Sequence, residues 1–128
     1  MVPGDASPLG RRLAAAAPPD ARARANMEVG LLSGGAVQDF WVPCEAGRCF
    51  IAVAVSDEED REVDLALSDD RGRRVDFIDP DGSVAVLRHC SEGTRTLRVR
   101  VHLEEGMGRF ALQIFDEAPS RGPGEVAQ

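Results

Sequence analysis

The residues of this 128-residue chain that could do chemistry are three cysteines, two histidines, a set of loop carboxylates and one row of arginines. Cys49 opens the longest apolar run, Cys49 to Val55, and Cys90 closes a later one. We expect these two to be tied, as a staple between two sheets or between neighbouring strands. A closed loop of about forty residues is worth roughly 3 to 4 kcal/mol in the chain-entropy model. Cys44 and Cys49 form a competing pair across a short connection, and three reduced thiols are the remaining alternative. Whichever pair forms, an odd cysteine is left to link subunits or to be buried. No Cys-x-x-Cys spacing supports zinc on the three cysteines and His89.

The carboxylates cluster in turns. Asp57, Glu58, Glu59 and Asp60 share one loop, and Asp69, Asp70, Asp79 and Asp81 fall in two turns. Gathered at one end of a fold, Asp57, Asp60, Asp79 and Asp81 could hold calcium, a hard cation that takes six to eight oxygens. There is no Asp-x-Asp-x-Asp-Gly loop, and solvated turn carboxylates are the ordinary reading. Catalysis has little to stand on. His89 and Cys90 are strand neighbours, so they point to opposite faces, and no serine sits in a Gly-x-Ser-x-Gly context. We therefore expect no enzyme. A single Trp and no Tyr count against a sugar-stacking site.

The row Arg98, Arg100 and His102 alternates with apolar residues and so lines one sheet face, with Arg109 expected beside it on a paired strand. Cross-strand acids such as Asp64 could neutralise it. Otherwise it is a docking stripe for an acidic protein partner or for self-association with another copy.

Charge and length narrow the classes further. A net charge of −7 argues against nucleic acid, because a polyanion needs a basic surface. No run of about 18 apolar residues spans a membrane. The sequence as given has no signal peptide: Arg11-Arg12 precede only a short alanine run, ended by Pro18-Pro19. Three cysteines in a small β-domain nevertheless point to an oxidising, extracytoplasmic compartment.

Several elements must position these residues. Ser7 caps and Pro8 opens a short helix to about Ala17, and Ala21 to Met27 could add another helical turn. Residues 1–34 then form a helical or disordered leader. From residue 35 the hydrophobic period becomes 2, with strands near 37–42, 48–55, 63–68, 75–77, 84–90, 94–103 and 109–115, separated by Gly, Pro and Asp turns. The 48–55 strand is apolar on both faces and must be central. The fold expected is all-β, a seven- to eight-stranded antiparallel jelly-roll-like sandwich over 35–117, followed by a disordered tail over 118–128.

The order of features resembles the bacterial pre-peptidase C-terminal domain. An aromatic strand (Ala36 to Val42) is followed by Gly47-Arg48-Cys49-Phe50, Asp64-Leu65-Ala66-Leu67 and the turn Asp69 to Gly72. Gly93-Thr94-Arg95-Thr96-Leu97-Arg98-Val99 and Gly108-Arg109-Phe110-Ala111-Leu112 complete the pattern. Phe50 stands where the family commonly has Tyr, and Arg95-Thr96 replaces an aromatic. The resemblance implies a secreted, non-catalytic accessory module that binds a protein. Its alternative is a calcium-stabilised domain of the same kind.

Overall fold

The computed structural model describes residues 7–33, 36–80, 82–104 and 108–117. Its elements are helix α1 (Pro8–Ala16) and strands β1 (Arg22–Ala23), β2 (Glu28–Leu32), β3 (Val37–Cys44), β4 (Cys49–Ser56), β5 (Val63–Ser68), β6 (Arg74–Ile78), β7 (Val84–Cys90), β8 (Arg95–Leu103) and β9 (Gly108–Asp116). They form two antiparallel sheets packed face to face. Sheet I runs β1-β9-β4-β7 with β2 also on β9, and sheet II runs β3-β8-β5-β6. Strands β2 to β9 thus make an eight-stranded jelly roll, extended at one edge by the two-residue β1.

The core lies where alternating strand residues meet between the sheets. Val42, Leu65, Leu67, Leu97, Val99, Val101 and Leu103 of sheet II pack against Leu32, Phe50, Ala52, Ala54, Leu87, Phe110 and Leu112 of sheet I. Strand β4 is buried along all but its first residue, as a central strand apolar on both faces requires. Its other face, Ile51, Val53 and Val55, lies under Leu9 and Leu13 of α1, with Ala111 and Phe115 completing the cluster. Leu9 and Leu13 are four apart, so they share one helix face. The helix starts where Ser7 and Pro8 imply: Ser7 Oγ accepts a hydrogen bond from the Gly10 N–H at 2.9 Å.

Four expectations are corrected. Residues 7–33 are no separate leader, because α1, β1 and β2 are built onto sheet I. The stretch from Ala21 contains a strand, not a helical turn, because Arg22 and Ala23 pair with Asp116 and Phe115 at the end of β9. The first jelly-roll strand, β2, was missed because Gly30 interrupts its pattern. That glycine has a packing reason: a Cβ there would lie 2.5 Å from Phe110 Cε1.

The fourth correction concerns connectivity. Of the links from β2 onward, only β5 to β6 stays within one sheet. Its turn uses Gly72 at φ +82°, and Asp69 Oδ1 accepts from the Arg71 and Arg73 N–H groups at 2.9 and 2.8 Å. The β8–β9 link, expected as a hairpin, crosses between the sheets. The 118–128 tail, Asp81 and the 105–107 turn lie outside the described residues.

Candidate functional site

Each sequence-selected residue can now be placed. Cys49 and Cys90 are register partners on β4 and β7, and their sulfurs are bonded at 2.02 Å. The bridge therefore joins neighbouring strands of one sheet, not the two sheets. Cys44 is the free thiol. It is buried, its Sγ lies 3.4 Å from the Val42 carbonyl, and burial pushes its pKa up. Such a thiol is inert and badly placed to link copies.

Of the loop aspartates, Asp57, Asp60 and Asp79 can be placed, and Asp81 lies outside the described residues. The loop of Asp57 and Asp60 and the turn before Ser83 do meet at one end, where the Val63 N–H donates to Gly82 O and the Ser56 N–H to Ser83 O. Asp57, however, is turned to Arg61, with an ion-pair distance of 3.8 Å. Among the described residues, Asp57, Asp60 and Asp79 do not fall into any group of three donors close enough to share an ion.

The arginine row occupies the outer face of sheet II, and register builds that face in three ranks. Trp41, Arg98, Ser68 and Arg74 form one, Asp39, Arg100, Ala66 and Phe77 the next, and Val37, His102 and Asp64 the third. Arg109 is not among them. It lies on β9 in the opposite sheet, paired with Leu31, because the chain changes sheets after β8.

The row is held by acids. Asp39 accepts from Arg100 Nε at 2.7 Å and Nη2 at 3.0 Å, with Arg98 Nη1 3.8 Å away. This forked pair fixes the guanidinium plane. The hydrogen bond from Arg100 is the main reason that the Asp39 carboxyl lies below its usual range, and the same bond raises the arginine. His102 Nδ1 lies 3.1 Å from Asp64 Oδ2. Asp64, the one acid on the list of expected neutralising partners, meets only the histidine end of the row.

Sequence reasoning passed over the aromatics on this face. Trp41 is 59 % exposed and Phe77 40 %, with Val37 at 42 %. The Arg74 guanidinium lies over the Phe77 ring, 4.7 Å from its centroid. The alternation of Trp41 with Phe40 and Val42 was the available signal. The other large exposed apolar side chains, Val29, Leu31, Val84 and Val86, lie on β2 and β7 at the two sides of sheet I. His89 faces inward from β7, with its ring 6.0 Å from Phe50. Desolvation holds its imidazole below the usual range, and its Nε2 is buried without a hydrogen bond. No helix among the described residues is long and apolar enough to cross a membrane.

No protein-family model matches the sequence, and no curated protein matches it. Solved structures do match. PliG of Aeromonas hydrophila, a periplasmic lysozyme inhibitor of g-type lysozyme, aligns with a TM-score of 0.59 at 9 % identity, over 74 % of this chain and 88 % of PliG. The Yersinia pseudotuberculosis-derived mitogen gives 0.55 at 11 %, over 78 % of this chain and 91 % of the mitogen. The pre-peptidase C-terminal domain of Bacillus anthracis collagenase gives 0.52 at 13 %, over 70 % of this chain and 87 % of that domain. At such identities the likeness is one of fold, and the fold is a β-sandwich like that of the pre-peptidase C-terminal domain.

Proposed function

We propose that this chain is a non-catalytic accessory module, exported from a bacterial cell, that binds a protein partner through the outer face of sheet II. The observation that carries the reading is the composition of that face. Exposed Trp41 and Phe77 stand among Arg74, Arg98 and Arg100, and Trp and Arg are the side chains most enriched at the centres of protein interfaces. Asp39 holds Arg100 in one orientation, which lowers the ordering cost of a contact. Arg98 and Arg100 meet at Asp39 and Arg74 stacks on Phe77, so guanidinium groups ring the apolar side chains on a chain of net charge −7. The partner surface that suits it is apolar with acidic surroundings.

Export is supported by the Cys49–Cys90 disulfide, since such bonds persist in oxidising compartments. Protein binding is in keeping with PliG, a lysozyme inhibitor built on the same fold. Site-specific photo-crosslinking tests the reading. A photoreactive amino acid at position 41 should give one heterologous adduct in host cells, lost with Arg98→Glu and Arg100→Glu. The same group at Arg11, exposed on α1, should give none. Equal adducts from both positions, or an adduct of twice the chain mass, would overturn the proposal.

A further inference from the structure

We infer that Asp64, His102 and Glu104 form a site for a divalent cation of the zinc class at one end of sheet II. One donor atom from each residue lies within 4.8 Å of the other two. Ligands around an ion with bonds of about 2.0 to 2.2 Å sit roughly 3.3 to 4.4 Å apart, so small side-chain rotations close the set. The backbone arranges the donors. Asp64 on β5 is the register partner of His102 on β8, and Glu104 follows two residues later, on the same side of the chain. The Glu104 N–H donates to Glu62 O at 3.0 Å, which ties the end of β8 to the start of β5.

The charge pattern gives a second reason. Asp64 is only 8 % exposed, and a buried carboxylate needs a compensating charge or donors. Arg98 and Arg100 on the neighbouring strand are turned to Asp39 instead. The hydrogen bond shown for Asp64 is to His102 Nδ1, the atom that a cation would share with the carboxylate. An imidazole in the set favours zinc and similar ions over calcium or magnesium, which take oxygen ligands. Three protein donors leave a position for water or another ligand, and His102 and Glu104 reach the surface. This site shares no residue with the loop aspartates 57, 60 and 79, and it stands whether or not the face binds a protein.

The test is isothermal titration of the chelator-treated full chain with zinc chloride at neutral pH, with calcium chloride as control. One zinc per chain is expected, with binding weakened at least about tenfold by His102→Gln and by Glu104→Gln, the scale on which sites respond to losing a supporting group. The His102 imidazole resonances should move with zinc before those of His89. His102→Gln carries the test even if Asp64→Asn does not fold. No uptake at 100-micromolar zinc, uptake unchanged in His102→Gln, or calcium bound as tightly would overturn the site.

Discussion

The two outer faces of this sandwich carry opposite chemistry on the same kind of scaffold. On sheet I the central outward residues are Ile51, Val53, Val55, Ala111 and Phe115, all buried beneath Leu9 and Leu13. On sheet II the outward face carries Asp39 in a forked pair with Arg100 and Asp64 beside His102, with Trp41 and Phe77 standing exposed among them. No described element lies across this second face. One face is a second core completed by α1, and the other is a finished surface. The difference teaches that period-2 alternation marks a solvent face only where nothing later covers it. Apolar residues on both sides of a strand mean a third layer.

The sharpest way to break this comparison is to place the same charge on both faces. Leu13→Asp should cost about 3 to 5 kcal/mol, because it buries a carboxylate against Ile51 and Val53 with no partner. Trp41→Asp, on a side chain 59 % exposed, should change stability by less than about 0.5 kcal/mol. Urea denaturation of the two variants beside the parent chain measures both. Equal losses would mean that the outer face of sheet II is also a structural layer.

The disulfide gives the next effect. Cys49 and Cys90 are 41 residues apart, and in the chain-entropy model opening that loop costs about 4 kcal/mol. Strands β4 and β7 remain paired by their ladder, so the Cys49→Ala/Cys90→Ala chain should fold but melt earlier. Dithiothreitol should lower the melting point of the parent chain and leave that of the double variant unchanged. Cys44→Ala should not reproduce the loss, since that thiol takes no part in the bridge.

Much of the fold was legible because its signals are local. Ser7-Pro8 marked the helix start, Cys49 to Val55 marked the buried central strand, and Leu97 to Leu103 marked an inward row by alternation alone. Pairing was not local. A turn signal such as Glu105 to Gly108 says that the chain reverses, but not whether the next strand lies beside the last one or opposite it. That is why Arg109 was assigned to the wrong sheet. Strand β2 was hidden for a different reason: Gly30 is dictated by the ring of its cross-strand partner Phe110 on β9, and a contact so distant in sequence leaves no local pattern. The outer face of sheet II was half legible. The arginines announced themselves by spacing, whereas the value of Trp41 depended on which rank of sheet II it joined.

The smallest effect concerns the charges that finish the surface of sheet II. Arg100 holds the folded-state Asp39 carboxyl below its usual range, while in the unfolded chain it titrates near about 3.9. A depressed carboxylate pKa contributes stability that is fully present above the unfolded value and is lost as pH falls through the folded one. Asp39→Asn should therefore be less stable than the parent chain at pH 7, by under about 1 kcal/mol because the pair is solvent-screened. The gap should begin to narrow below about pH 4, where the unfolded chain's carboxyl takes up its proton, and close as pH falls on through the lower folded value. His89, kept neutral by its burial, destabilises the fold as pH falls below about 6.5, but it does so in both proteins and cancels in the difference. Added salt should shrink the same gap at pH 7. A gap constant from pH 7 to pH 3 would mean that Asp39 acts through packing against Arg98 and Arg100, and that the face is ordered by shape and not by charge.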